Sequence, residues 1–118
     1  MNDPLDRVRQ EALDLPETEE RLSHGQPTFF VAGKQFAQFR NNHHGDLKTV
    51  VCVRVSGLDE QTMLLEADPE TYSKPAYLPS WISINLAGAS VDWDHVADRL
   101  AVSWELAAPR RLLEAGGR

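Results

Sequence analysis

Two apolar bursts, Thr28–Val31 and Gln35–Arg40, flank the short connection Ala32-Gly33-Lys34, and this pair constrains the fold more than any other feature of the chain. Gly33 supplies the positive backbone angle that a tight reversal needs, and Gly25 and Pro27 punctuate the entry. The pattern predicts an antiparallel hairpin that clusters phenylalanines. A further strand is predicted over Lys48–Val55, where Thr49, Val51, Val53 and Val55 alternate with Lys48, Val50, Cys52 and Arg54. One face of that strand is apolar and the other amphipathic, so the second face is expected to be partly wet.

Helical signals surround these strands. Asp3 is a candidate N-cap with Pro4 at the first helical position, and Leu5, Val8, Ala12 and Leu15 form one stripe before Pro16 stops the helix. The acidic run from Glu17 to Ser23 reads as a solvated connection or a short helical turn. Leu58 to Ala67 predicts a second helix ended by Asp68-Pro69, and Asp92 caps a third with the stripe Trp93, Val96, Leu100 and Trp104. Between them, Tyr72 to Pro79 reads as an irregular or edge segment. The strand Trp81 to Leu86 follows, with Ile82, Ile84 and Leu86 facing the core. The fold class predicted is α+β, a mainly antiparallel sheet with helices packed chiefly on one face.

A chain of 118 residues, 42% hydrophobic, suits one domain over residues 1–118, with 114–118 as a frayed tail. No apolar stretch approaches the ~20 residues of a membrane span, and the first residues lack a secretory pattern, so a cytoplasmic protein without membrane partners is expected. Cys52, the single cysteine, lies in an apolar run and reads as a buried thiol. The net charge of -6 opposes a phosphate backbone as partner for the whole surface. Its distribution is uneven: residues 34 to 54 hold Lys34, Arg40, Lys48 and Arg54 against Asp46 alone.

Most polar chemistry is concentrated in Asn41-Asn42-His43-His44-Gly45-Asp46, which reads as a turn between strands and also as a recognition loop. Adjacent histidines lack zinc-ligand spacing, so no metal site is assigned to the loop. No nucleophile elbow, phosphate-cradling loop or acid/base pair stands out; neither an enzyme nor a cofactor is expected. Tyr72 and Tyr77 lie in a proline-stiffened segment capable of lining a groove, whereas Trp81, Trp93 and Trp104 read as packing residues.

The ordered pieces Gly25-Gln26-Pro27-Thr28-Phe29, Gly33-Lys34, Asn42-His43-His44-Gly45-Asp46, Asp68-Pro69-Glu70 and Val91-Asp92-Trp93 resemble the MmcQ/YjbR family of small bacterial domains. The resemblance departs at Tyr77-Leu78-Pro79-Ser80-Trp81, where relatives commonly carry glycine before the tryptophan. It implies a frataxin-like (CyaY-like) fold with a double-wing motif from whose shape DNA binding has been inferred, and the frataxin-like shape also implies a metal interaction at the acidic Glu17, Glu19 and Glu20. On that implication Lys34, Arg40 and Lys48 contact the backbone while Asn42, His43 and His44 touch phosphate or groove, with weak, salt-sensitive affinity. The competing expectation is a small-molecule or protein-binding module using a cleft near His44, Tyr77 and Trp81, which the acidic net charge favours.

Overall fold

The computed structural model describes residues 3–42, 45–88 and 90–116. Helix α1 (Pro4–Leu13) starts as its sequence dictates: the Asp3 carboxylate accepts the Asp6 amide at 2.9 Å and Pro4 occupies the first turn. The chain then enters an antiparallel meander of β1 (Thr18–Ser23), β2 (Gln26–Val31), β3 (Lys34–Asn41) and β4 (Thr49–Arg54). Helix α2 (Leu58–Ala67) and the two-residue β5 (Tyr72–Ser73) lead to β6 (Trp81–Asn85), which returns beside β4. The six-stranded order is β1-β2-β3-β4-β6-β5. Helices α3 (Trp93–Ala107) and α4 (Arg110–Glu114) complete the described chain. The α+β class and the antiparallel sheet are those predicted.

The first two hairpin turns of the meander, His24-Gly25 and Ala32-Gly33, have two residues each, and in each both backbone φ angles are positive. That left-handed pair matches the right-handed twist of the flanking strands, and it explains the glycine at the second position.

Thr18–Ser23 corrects the expectation of a solvated connection or helical turn. The segment is a full strand because the tight His24-Gly25 reversal lays it directly on β2, with Thr18 opposite Val31 and Ser23 opposite Gln26. Its charge suits the sheet edge, where ionic side chains discourage pairing with other chains. Glu20 turns toward α1 and accepts two hydrogen bonds from Arg9, at 2.8 and 2.9 Å, while Arg21 on the opposite face lies 4.1 Å from the centre of the Phe30 ring.

The main core lies between the sheet and the helices. Val8 and Ala12 of α1, Leu64 of α2 and the α3 stripe Val96, Leu100 and Trp104 meet Phe29, Val31, Phe39, Val51, Val53, Ile82 and Ile84. A register shift between Phe29 and Phe30 leaves Phe36 without a partner on β2, so Phe36 and Ala37 both enter this core. There β3 and β4 part, and α3 closes the gap. Ser103 Oγ accepts the Arg54 amide at 2.8 Å and donates to the Phe36 carbonyl, standing in for a strand-to-strand bond.

The other sheet face is drier than expected. Val50, Cys52 and Trp81 form a second buried cluster, covered by Leu78 from the irregular segment 74–80. That segment is held by a side-chain amide and a guanidinium rather than by regular structure. Gln61 Nε2 donates to the Pro79 and Trp81 carbonyls at 2.8 and 2.7 Å, and Arg40 Nη1 donates to the Ala76 carbonyl at 2.9 Å. Helices therefore cover one face, and a pinned loop covers the middle of the other.

Two outcomes follow. Ser103→Ala leaves the Arg54 amide and the Phe36 carbonyl unpaired in a buried place, and urea unfolding should show a loss of about 1–3 kcal/mol; an unchanged midpoint would remove the bridging role. Burial pushes the Cys52 thiol above its ordinary value of 9.0, only partly offset by Ser83 and Arg40. Above about pH 9 the unfolded thiol ionises while the folded one does not, so stability declines as pH rises from there. Cys52→Ala should show a shallower alkaline decline in urea midpoint than wild type, and equal slopes would contradict this.

Candidate functional site

On the helix-free face, the pinned segment does not cover the whole sheet. Between it and the β1–β2 turn lies a cleft of about 760 Å³, lined by Ser23, His24, Gln26, Gln35, Gln38, Arg40, Tyr77 and Leu78. Strand alternation explains the lining: Gln38 and Arg40 point away from the Phe39 core face, and cross-strand pairing sets Thr28 beside Gln38 and Gln38 beside Cys52.

The floor is a fixed polar chain. Thr28 Oγ1 donates to the Gln26 carbonyl at 3.0 Å, and Gln38 Nε2 donates to Thr28 Oγ1 at 3.1 Å and to the Ser23 carbonyl at 3.3 Å. Arg40 Nε donates to Gln38 Oε1 at 2.8 Å. The amide orientation of Gln38 is thus set from both ends: its oxygen serves the guanidinium and its nitrogen serves β1 and β2. Arg40 is only 6% exposed, yet its acceptors are a neutral amide and a neutral carbonyl. No carboxylate of the described residues pairs with it. Burying a charge without an opposite one costs on the order of several kcal/mol, so this arrangement is unusual for a purely structural arginine.

The four basic residues singled out in the sequence do not make one patch. Lys34 is exposed and opens β3 after the Ala32-Gly33 turn, whereas Lys48 is exposed and precedes β4 at the opposite end. An eight-residue strand at ~3.3 Å per residue separates these ends by about 25 Å. Arg40 is buried in the cleft floor, where the wing reading placed it at a DNA backbone. Arg54 donates Nε to the Gln35 carbonyl at 2.8 Å and lies 4.9 Å from the Trp81 ring centre, and burial pushes its guanidinium below the ordinary range.

Asn42 organises its own loop: Oδ1 accepts the Leu47 amide at 2.9 Å, while Asp46 accepts the Lys48 amide at 2.9 Å. His43 and His44 lie outside the described residues. Of the alternative cleft residues, Tyr77 lines the cleft at 80% exposure, whereas Trp81 does not line it and packs at 5% exposure beneath Leu78. The acidic Glu17, Glu19 and Glu20 engage Arg111, Arg21 and Arg9 respectively. Among the described residues no cluster of three His, Cys, Asp or Glu is arranged to hold a metal.

Gln26, Gln35, Gln38, Ser23 and His24 did not emerge as site residues from the sequence. A usable signal was present: Gln38 and Arg40 alternate with Phe39 in mid-strand, where solvent-facing polar residues become cleft-lining ones once a loop folds across.

A second hollow of about 550 Å³ lies between the α2–β5 corner and the start of α3, over Leu64, Ile84 and Val96. Its polar groups serve the fold. Asp92 caps α3 through the His95 amide at 3.1 Å, Asp68 accepts the Thr71 amide at 3.2 Å, and Tyr72 and His95 hydrogen-bond each other. Desolvation raises the Tyr72 phenol above its ordinary pKa.

Among solved structures, the fold is similar to that of the Deinococcus radiodurans protein DR2400, a crystal structure with a DUF419 domain. The TM-score is 0.76 at 17% identity, covering 97% of this chain and 88% of that one. At that identity the likeness concerns fold alone. No curated protein matches the chain. The YjbR family model matches residues 13–106, most of the chain. On that match, the chain belongs to the YjbR family.

Proposed function

We propose that this protein is a small-molecule-binding module whose site is the cleft between the β1–β2 turn, β3 and Tyr77-Leu78. The observation that carries the reading is a concavity of about 760 Å³ floored by a pre-organised chain of polar side chains. Small-molecule sites typically measure ~300–1,000 Å³ and place a few oriented polar groups against apolar walls. Here Leu78 and the Tyr77 ring supply apolar wall, and Gln38 and Arg40 supply fixed polarity. Nothing in this floor must reorganise before a ligand arrives, which lowers the entropy cost of binding.

The DNA-wing reading draws on family resemblance and on Lys34 and Lys48. It needs several cations acting together on one phosphate track, since affinity scales with the phosphates neutralised. Lys34 and Lys48 are at opposite ends of the sheet, Arg40 is enclosed, and the remaining surface is acidic. These observations favour the cleft.

The test is a thermal-shift screen of small polar metabolites followed by amide NMR titration. A ligand at a hundredfold excess over its Kd stabilises the fold by about 2.7 kcal/mol, readily visible as a raised Tm. Perturbations should centre on Ser23, Gln26, Gln38 and Leu78, and Gln38→Leu should weaken binding at least tenfold. A screen without hits, or duplex DNA binding at low salt that Lys34→Glu and Lys48→Glu abolish, would overturn the reading.

A further inference from the structure

We infer that the cleft selects a small organic oxyanion, a carboxylate or phosphate monoester, whose charged head seats on Arg40. This inference rests on the cleft being the binding site and adds the chemical class of its ligand.

Three observations on the guanidinium converge. It is nine-tenths buried, it lines the cleft, and no carboxylate of the described residues neutralises it. Its hydrogen bonds run through Nε to Gln38 and Nη1 to Ala76, leaving Nη2 without an acceptor among the described residues. Nη2 is nevertheless not sealed. The enclosed side-chain nitrogens without a hydrogen bond among the described residues are Arg7 Nε and two nitrogens of Arg99; Arg40 Nη2 is not one of them, and Arg40 lines the cleft.

The neighbours agree with an anion rather than a cation or a neutral body. Ser23, Gln26, Gln35 and Gln38 are uncharged, and none of the cleft-lining residues is acidic in a chain that carries 18 carboxylate side chains. Acidic residues excluded from one concave surface leave the Arg40 field unopposed there, and in a partly desolvated cleft that field acts strongly on an incoming anion. Arginine presents fixed donors suited to carboxylate and phosphate oxygens, and charge-assisted hydrogen bonds are the stronger class. Gln38 holds the fork in place from behind, so the head group meets a donor that is already aimed. The volume is larger than an inorganic ion needs, which makes the ligand an organic body carrying the anionic head.

The test uses benzoate, phenyl phosphate and neutral benzamide, three probes with similar rings and different heads, titrated against the whole protein with the Arg40 Nε–H and cleft amides observed by NMR. Benzoate or phenyl phosphate should shift Arg40 Nε–H together with Gln38 and Leu78. Either should bind at least tenfold more tightly than benzamide, and the advantage should shrink as salt rises. Arg40→Gln should lose that preference, and the shift of Arg40 Nε–H in the wild type serves as the readout should the variant not fold. Benzamide binding as tightly as benzoate, with the same cleft resonances perturbed, would overturn the oxyanion inference while leaving the cleft as a site. Absence of any cleft perturbation by all three probes would overturn both. Comparison of the two anions tells whether carboxylate or phosphate is the preferred head.

Discussion

The arrangement depends on one constraint: β3, β4 and β6 lie in the middle of a sheet whose two faces must both be covered, and helices cover only one. The second cover is the irregular segment 74–80, whose backbone carbonyls are satisfied by side chains reaching from the framework. Gln61 takes the Pro79 carbonyl and, just beyond the segment, that of Trp81 at the start of β6, and Arg40 takes that of Ala76. Buried backbone groups outside regular structure require such partners. Leu78 then packs over Val50, Cys52 and Trp81, and the uncovered remainder of the same face becomes the cleft.

The same residue thus serves the fold and the site. Arg40 ties down the loop with one nitrogen, orients Gln38 with another and leaves its charge without an opposite partner among the described residues. A structural arginine in such a place would normally be matched by an aspartate or glutamate. In this chain carboxylates are abundant and engage other arginines, as Glu20 does Arg9 and Glu17 does Arg111. The unmatched charge stands where the surface is concave.

Much of the fold was legible in the sequence because it is written in short-range signals. Asp3-Pro4 and Asp92 mark helix starts, Gly33 marks a turn, and the alternation in Lys48–Val55 and Trp81–Leu86 separates the two faces of their strands. Strand β1 was not legible, since its glutamates and arginine carry no apolar alternation and its pairing is imposed by the His24-Gly25 turn. The buried state of Arg40 was hidden for a related reason: mid-strand polarity reads as solvent-facing until a loop 36 residues further along covers it. Sequence also grouped Lys34, Arg40, Lys48 and Arg54 by proximity along the chain, whereas the eight-residue β3 sends Lys34 to one sheet end and Arg40 and Asn41 to the other. Tyr77 was recognisable from its proline-rich surroundings, while Trp81 begins β6 and is absorbed into packing.

Segment 74–80 lies on the sheet and walls the cleft instead of projecting from it. Methyl and aromatic nuclear Overhauser contacts test this most directly. Cross-peaks are expected from the Leu78 methyls to the Trp81 ring and the Val50 methyls, together with a slowly exchanging Arg40 Nε–H. Leu78 methyls at random-coil shifts with no contact to Val50 or Trp81 would contradict it.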